Sequence, residues 1–406
     1  MNRTRFWMWG VTLTLVTLTG PAHGEGLEFA PQELPTKLDI GYAVKMVDIN
    51  ADQRLDIAIV DKHRVVWLQN PDWKEHLLLA GQTKPDNVCF DFADIDGDGR
   101  LDMALGADWT LNTQSGGKLY WARQGERPAE PWQLHDIGEE PTVHRLRLVD
   151  LNRDQRPELL VLPLLGRNST RPNFAESTVR FLSYPLPADP TNPAQWQPQV
   201  LNDQLHVTHN FWPDDLDGDG QIDLLVVSFE GVTWLRPTAS GGWSAVRIGE
   251  GNQQTSPNRG SSEIKLGRLS GRRPYIATIE PWHGHQVVVY RPSGEQLDQP
   301  WHREVLDEQL QWGHAVWCTN LDQDEDQELV IGVRDSLNEA NPCGLRIYDP
   351  QTSGESTQWQ RTLIDPAGVN IEDLAAGDLD GDGRTDIVAV GRQSHNVRIY
   401  WNRTTP

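Results

Sequence analysis

The chain has 406 residues, a formal net charge of −22 and only three cysteines, Cys89, Cys318 and Cys343. The acidic balance excludes a nucleic-acid partner, since a phosphate-binding surface needs clustered Lys and Arg. Three irregularly spaced cysteines are too few for a disulfide framework. We expect Cys89 and Cys318, which lie in β-forming runs, to be small buried hydrophobic residues.

Residues 1–24 are predicted to be a signal peptide. Arg3 and Arg5 precede an apolar run, and Ala22, His23 and Gly24 form a small-residue cleavage site. A retained membrane anchor is the alternative. We expect a mature protein of residues 25–406 that is exported to a periplasm or the extracellular space, with no membrane insertion once the signal is removed.

An acidic motif then recurs along the chain, with oxygen-bearing residues at loop positions 1, 3, 5 and 9 between two β-forming runs. The six copies are Asp48, Asn50, Asp52 and Asp56; Asp94, Asp96, Asp98 and Asp102; Asp150, Asn152, Asp154 and Glu158; Asp215, Asp217, Asp219 and Asp223; Asn320, Asp322, Asp324 and Glu328; and Asp378, Asp380, Asp382 and Asp386. A degenerate seventh copy has Arg268, Ser270 and Arg272 at the first three ligand positions. A period of this size is typical of propeller blades.

The spacing within each copy predicts structural Ca²⁺ at up to six sites. Calcium takes six to eight oxygen ligands, and the sharp turn that brings positions 1, 3, 5 and 9 together needs a positive φ. Glycine supplies that turn in three copies, at Gly99, Gly220 and Gly383. A helical calcium hand is excluded because position 12 is apolar. A solvated acidic turn without an ion remains the alternative.

A second marker shares the period, because a tryptophan opens the last strand of six units: Trp73, Trp132, Trp196, Trp243, Trp301 and Trp359. Each unit therefore has four predicted strands, with the calcium loop between the first and the second. We predict an all-β fold, one seven-bladed β-propeller with blades at about 41–80, 87–138, 142–202, 207–249, 260–307, 312–365 and 370–402. Residues 27–36 are expected to supply the missing fourth strand of the last blade and so close the ring, with Phe29 in the tryptophan position.

The residue six positions before each loop is predicted to face the central channel. This column contains Tyr42, Val88, His144, His209, Ser262, His314 and Glu372. Three histidines and a glutamate there indicate a site for zinc or another divalent ion. The same groups suit acid and base roles on a bound substrate, and histidines that only fill the channel are the third alternative.

Loops on the same rim add further candidates, which are Asp108, Trp109, Arg167, Asn168, Glu280, His283, His285, Arg334 and Asp335. Such a set around one cavity suits a polar, oxygen-rich ligand such as a sugar. For each of them, a hydrogen-bonded or solvated rim group is the alternative.

The acidic loops with their flanking strands resemble FG-GAP and VCBS propeller repeats. The run EPWHGH at 280–285, together with the channel histidines, resembles the aldos-2-ulose dehydratase propeller family. That resemblance implies a metal-assisted lyase that dehydrates keto sugars, with His144, His209, His314, His283 and His285 at the site. No cupin segment follows Asn402 in this sequence, so an isomerase step is not expected.

The predicted function is therefore that of an exported calcium-binding propeller with carbon–oxygen lyase activity on a keto sugar or oxidised carbohydrate. A divalent ion on the channel histidines would polarise the carbonyl, Glu372 or His285 would move protons, and Arg334 would assist. The alternative is a propeller that binds a carbohydrate or a protein partner without chemistry. It predicts exposed rim aromatics, namely Trp109, Trp212, Trp282 and Trp312, and no metal other than calcium.

Overall fold

The computed structural model of the protein describes residues 26–353 and 356–405, so the predicted signal peptide lies outside the described residues. In the described ranges, 28 strands form seven four-stranded antiparallel sheets. These sheets are the blades of a seven-bladed β-propeller, as the repeat predicts. None of the helices in these ranges is long and apolar enough to cross a membrane.

The first strand, β1 (Phe29–Glu33), precedes the blades. Blades 1 to 3 contain β2 (Gly41–Val47), β3 (Asp56–Asp61), β4 (Arg64–Gln69), β5 (Lys74–Ala80); β6 (Cys89–Ala93), β7 (Asp102–Ala107), β8 (Lys118–Arg123), β9 (Gln133–Glu139); and β10 (Val143–Val149), β11 (Glu158–Pro163), β12 (Val179–Pro185), β13 (Gln199–Leu205). Blades 4 and 5 contain β14 (Asn210–Asp214), β15 (Asp223–Ser228), β16 (Gly231–Pro237), β17 (Trp243–Gly249); and β18 (Glu263–Leu269), β19 (Arg273–Glu280), β20 (Gln286–Arg291), β21 (His302–Asp307).

Blades 6 and 7 contain β22 (Gln311–Thr319), β23 (Glu328–Asp335), β24 (Gly344–Ser353), β25 (Ser356–Pro366); and β26 (Ile371–Gly377), β27 (Asp386–Gly391), β28 (Val397–Asn402). β1 pairs antiparallel with β28, from Phe29 opposite Asn402 to Glu33 opposite Arg398. It is therefore the outermost strand of the last sheet. Two short 3₁₀ helices, Pro193–Gln195 and Ser270–Arg272, lie outside the sheets.

The core lies between the blades, because each sheet packs both of its faces against its neighbours. All six residues of β3, β7 and β15 are buried as a result, although an exposed sheet would alternate buried and exposed positions. Five of the six marker tryptophans start the outer strand or lie up to three residues before it, whereas Trp359 lies inside β25. Cys89 and Cys343 are buried and Cys318 is half-buried, and all three are free thiols.

The first strand of each blade surrounds a central channel. Each of these inner strands, β2, β6, β10, β14, β18, β22 and β26, contacts the inner strands of both neighbouring blades, and β26 contacts β2 to complete the ring. Residues in the same register on different blades therefore meet across the axis. This arrangement positions the candidate site.

Candidate active site in the central channel

Backbone irregularities place the predicted column of residues at one mouth of the channel. In four blades the pairing register shifts at the column residue itself, so that Tyr42, His144, His314 and Glu372 occupy β-bulges. A bulge inserts one residue and lets two successive side chains face the same side. For this reason His144 and Arg145 both line the cavity at the mouth.

Four histidines converge there: two from inner strands, one from the position just before a third inner strand, and one from a loop. The ring centroid of His209 lies 4.5 Å from that of His144, 4.7 Å from that of His283 and 5.5 Å from that of His314. The centroids of His283 and His314 are 5.0 Å apart. His283 is on the loop after β19, where it has a φ of 50° and stacks on Trp282 at 4.5 Å. The structure thus brings the predicted column histidines together with one predicted loop histidine.

Hydrogen bonds orient two of the imidazoles. Nδ1 of His209 lies 3.0 Å from the carbonyl oxygen of Ser262 and 2.8 Å from a carboxylate oxygen of Glu263. Nδ1 of His314 lies 2.6 Å from the carbonyl oxygen of Glu372. A nitrogen that faces a carbonyl must donate, so Nδ1 carries a proton in both rings and any lone pair is on Nε2. Fixing Nδ1 in this way is how proteins prepare Nε2 as a metal ligand.

The Nε2 atoms point toward a common centre. His209, His283 and His314 each offer a ring nitrogen within 4.8 Å of the others, which is a spacing that suits one shared ion. His144 is different, because neither of its buried ring nitrogens has a hydrogen-bond partner among the described residues. A buried polar atom without a partner is costly, and it indicates a missing ligand, water or ion.

Burial keeps three of these rings neutral, those of His144, His209 and His283. It lowers the pKa of His209 to about 4, although Glu263 partly opposes the effect. Burial, followed by the neighbouring positive charges, also holds the pKa values of His144 and His283 well below the ordinary range. At neutral pH the cluster therefore offers lone pairs, which is the form that binds divalent metals.

Two carboxylates frame the cluster. Glu372 accepts a hydrogen bond of 2.7 Å from Arg392 and lies 3.5 Å from Arg334. Its burial alone would raise its pKa, but His314, Arg392 and Arg334 outweigh burial and hold the pKa below its ordinary value. Glu372 is therefore an anchored carboxylate and a weak base.

The second carboxylate, Glu263, forms an ion pair with Arg145 at 3.1 Å and also accepts a hydrogen bond from Asn210. Because Arg145 belongs to blade 3 and Glu263 to blade 5, this pair crosses the channel below the histidines. Sequence reasoning missed both residues, which lie one position after the predicted column. Arg145 faces the channel because the bulge at His144 lets two adjacent positions point the same way, whereas Glu263 belongs to a strand without a bulge.

A cavity of about 190 Å³ lies above the histidines, with aromatic side chains on its walls. Trp109 and Trp282 line it, and the buried indole Nε1 of each has no acceptor among the described residues. Nε of Arg334 is also buried and also has no acceptor among the described residues. The guanidinium of Arg334 lies 5.3 Å from the ring centroid of Trp312. Unpaired donors beside aromatic faces suit an oxygen-rich ligand of modest size.

The other predicted rim residues lie outside this cluster. His285 is exposed and lines a separate groove beside Trp312. Glu280 is fully buried and accepts hydrogen bonds from Ser261, Thr278, Tyr290 and Arg303, so its role is structural. The remaining candidates do not contact the histidines. Arg167 forms an ion pair with Glu140, and Asp108 forms one with Lys84. Asp335 accepts a hydrogen bond from Gln393, and Asn168 is exposed.

The acidic loops lie at the opposite end of the inner strands. Position 1 acts as a turn acceptor: one oxygen of Asp94 accepts the N–H groups of Gly97 and Asp98, and the other accepts that of Gly99. The position 9 carboxylate is buried in Asp56, Asp102, Asp223 and Asp386, and burial raises the pKa of each to about 6. Carboxylate groups close enough to share an ion occur at 94/96/102, 215/217/223, 322/328/349 and 378/380/386.

Asp349 in the third of these groups is a residue that the loop motif does not contain. It comes from β24, and one of its carboxylate oxygens, like one oxygen of Glu328, is buried without a hydrogen-bond partner. Burial raises the pKa of Glu328 to about 9 and that of Asp349 to about 6. In blade 5, where the motif has degenerated, Arg268 instead pairs with Asp214 at 3.0 Å.

The fold and site define the class of protein: a seven-bladed β-propeller of FG-GAP-like repeats with a histidine cluster in its channel. Residues 48–105 and 320–389 match the family model of the FG-GAP-like repeat. Residues 116–293, which include His144, His209 and His283, match the model "Aldos-2-ulose dehydratase, beta-propeller domain".

A curated relative agrees with the second family match. Aldos-2-ulose dehydratase of Phanerodontia chrysosporium is 23% identical over 322 residues, which cover 72% of this chain and 34% of that protein. The chain thus matches about a third of the relative's length.

Solved structures share the fold at low identity. The structure of BBS1N in complex with ARL6DN, soaked with lead, has a TM-score of 0.54 at 14% identity and covers 94% of this chain and 97% of that chain. An Agrocybe aegerita lectin described as recognising non-reducing terminal N-acetylglucosamine has a TM-score of 0.51 at 12% identity, with 81% of each chain covered. These likenesses concern the fold alone.

Proposed function

We propose that this protein is a metal-assisted lyase that removes water from a keto sugar or related oxidised carbohydrate at the channel mouth. The observation that carries the proposal is the convergence of four histidines, with Nδ1 of His209 and of His314 held by carbonyl oxygens so that Nε2 is left toward the cluster. The distant similarity to aldos-2-ulose dehydratase supports a carbohydrate-related role.

The donor set fits a divalent first-row ion such as zinc. His209, His283 and His314 would hold it, because neutral imidazoles are common ligands of such ions and three protein ligands leave a position open. When bound, the ion supplies Lewis acidity toward a carbonyl oxygen.

The chain's own residues would divide the remaining work. Elimination of water beside a ketone breaks one C–H bond and one C–O bond, and the departing hydroxide takes up a proton to leave as water. His144 has both ring nitrogens unpartnered, so it is the imidazole free to take the carbon-bound proton and return one to the leaving oxygen. Trp109 and Trp282 would hold the sugar by its apolar face, and Arg334 would donate to its hydroxyl groups.

Glu372 is better suited to positioning than to proton transfer. It is held ionised by Arg392 and Arg334, and its carbonyl orients His314. The exposed position of His285 removes it from this set.

The acidic loops at the other end are proposed to bind structural calcium. Unpaired buried oxygens support an ion at two of them, one on Asp215 and the others on Glu328 and Asp349. We also propose export of the protein, on the strength of the predicted signal peptide at residues 1–24.

Turnover and metal content test the lyase proposal together. Purified protein is assayed with a keto sugar for the ultraviolet absorbance of a conjugated enone, and its metals are measured by elemental analysis. We expect about one equivalent of a transition metal and an at least 100-fold loss of turnover on replacing His144 with alanine, given the usual contribution of a proton-transfer group. His302→Ala, at an exposed histidine of an outer strand, is the matched control. Unchanged turnover in His144→Ala, His209→Ala and His314→Ala would refute the proposal.

A binding propeller without chemistry is the second candidate, and the aromatic walls of the cavity favour it. Trp109, Trp282 and Trp312 near an open mouth would also serve a lectin-like role. That function predicts carbohydrate affinity that survives removal of every transition metal.

A further inference from the structure

A second and larger cavity occupies the channel below the Arg145–Glu263 ion pair. Its volume is about 420 Å³, and it is lined by the inner strands of all seven blades. None of the four clustered histidines lines it. Its chemistry therefore differs from that of the site at the mouth.

One register position dominates the wall of this lower cavity. The residues three positions before each acidic loop are Lys45, Asp91, Arg147, Trp212, Lys265, Trp317 and Ala375. In blades 3 to 6 the order is cation, tryptophan, cation, tryptophan. All seven residues line the cavity, so the pattern forms a ring around the channel.

Lys265 is enclosed by the two tryptophans of this ring. Its Nζ lies 4.3 Å from the ring centroid of Trp212 and 5.1 Å from that of Trp317, and the two indoles are 5.9 Å apart. Lys265 is only 7% exposed. A buried ammonium needs compensation, and aromatic faces supply only part of it.

The charges around the cavity do not balance. Lys45 pairs with Asp91 at 2.8 Å, and Arg145 pairs with Glu263. In the described part of the chain, no carboxylate lies within ion-pair distance of Lys265 or of Arg147. Arg147 donates to the side-chain oxygen of Asn210, while its buried Nη1 has no partner among the described residues.

Counting the Lys, Arg, Asp and Glu side chains of the wall gives the same result. Four cations, Lys45, Arg145, Arg147 and Lys265, face three carboxylates, Asp91, Glu263 and Asp373. Burial, followed by Arg147, lowers the pKa of Lys265 to about 8, which is the effect expected of an ammonium that lacks an anionic partner. One negative charge would neutralise the wall.

We propose that the lower cavity binds a small monoanionic carboxylate, of the kind carried by a sugar acid, with its charge on Lys265 and its carbon skeleton beside Trp212 and Trp317. A single unmatched positive charge favours a monoanion over a dianionic phosphate, because Asp91, Glu263 and Asp373 would repel a second negative charge. Arg147 contributes its positive charge from the neighbouring blade. This site does not depend on the lyase proposal, because it shares no ligand with the histidine cluster.

Calorimetric titration of the calcium-loaded full chain tests the site with three probes: glucuronate, uncharged glucose and inorganic phosphate. Lys265→Met keeps the buried stem and removes the charge, so we expect its affinity for glucuronate to fall at least about 10-fold, as for a lost charge-assisted contact. Lys265→Arg should retain binding. Lys37→Met, at an exposed lysine, is the matched control and should bind as the wild type does.

The outcomes separate this site from the mouth. If glucuronate is held only by an ion on the histidines, it will bind equally well to the wild type and to Lys265→Met. Equal affinity in the two proteins would therefore overturn the proposal. Phosphate binding as tight as glucuronate would overturn the choice of a carboxylate. If Lys265→Met fails to fold, Trp317→Leu provides the second test. Unchanged glucuronate affinity in Trp317→Leu would also overturn the proposal.

Discussion

The Nε2 atoms of His209 and His283 lie 2.8 Å apart at the channel mouth. Because Nδ1 of His209 faces two oxygens, Nε2 of His209 carries a lone pair, and only a proton on Nε2 of His283 makes the contact favourable without a cation. A divalent ion bound by both nitrogens would take the place of that proton, with the tautomer of His283 changing accordingly. With Zn–N distances of about 2.0–2.1 Å in a tetrahedral site, the two nitrogens would move apart to about 3.3 Å, so the contact marks where a small shift of the imidazoles would admit an ion.

A cobalt titration examines this contact directly. Co²⁺ added to metal-free protein should give the visible absorption of a nitrogen-ligated ion at one equivalent, because cobalt takes the same imidazole ligands as zinc. His283→Ala should weaken binding about 10- to 100-fold or more, as expected for the loss of an imidazole that contacts the ion. His302→Ala should titrate like the wild type. Equal binding by His283→Ala would show that the 2.8 Å contact is only a hydrogen bond between two core histidines.

Glu372 provides a prediction about stability. Glu372→Gln removes the carboxylate that compensates Arg392 and Arg334 in a buried setting, so the free energy of unfolding should fall by about 2–3 kcal/mol, below the full value of a buried pair because Arg392 is partly exposed. Urea denaturation measures the change. Glu33→Gln, which breaks a surface contact with Arg398, should cost less than about 1 kcal/mol. Equal losses in the two variants would contradict the structural role of Glu372.

The sequence predicted the architecture well because its two markers are properties of the repeat itself. Loop position 1 and the outer tryptophans share a period, and each marker occurs in six of the seven blades. The channel column was predictable for the same reason, since equal register on equivalent strands means equal height along the axis. His144, His209 and His314 followed from that symmetry alone.

Departures from the repeat explain which site residues could not be predicted from the sequence. The bulge at His144 makes the adjacent Arg145 face the channel as well, which strict alternation forbids, so Arg145 was missed. Glu263 was missed because it lies one position after the predicted column, in a strand that pairs without a bulge. His283 and His285 are two residues apart and would share a face in a strand. The positive φ of His283 ends that relation and leaves His285 exposed. Neither a bulge nor a turn of this kind leaves a clear mark in one sequence.

Calcium removal should destabilise the propeller, and blade 6 offers the sharpest case. Glu328 and Asp349 each keep a buried oxygen without a partner, and Asp349 is absent from the loop motif. At 100 times the dissociation constant, calcium at one site contributes about 2.7 kcal/mol, so chelation should lower the thermal midpoint by several degrees. Asp349→Asn should lose about one bound calcium per chain, measured by elemental analysis against the exposed control Asp203→Asn. Full calcium content in Asp349→Asn would remove Asp349 from the site.

Trp282 separates catalysis from simple binding. Its ring stacks on His283 and lines the mouth cavity, so Trp282→Ala should weaken sugar binding by about 10-fold, equivalent to about 1.4 kcal/mol, through the loss of an aromatic platform. In a lyase, that variant raises KM and also lowers kcat, because His283 loses the support that orients it. In a binding propeller only the affinity changes, and chelation of transition metals leaves it unaffected. Trp401→Ala, in β28 of the last blade, should keep the wild-type sugar affinity. If it loses affinity to the same degree as Trp282→Ala, the effect comes from the stability of the propeller and the mouth is not the sugar site.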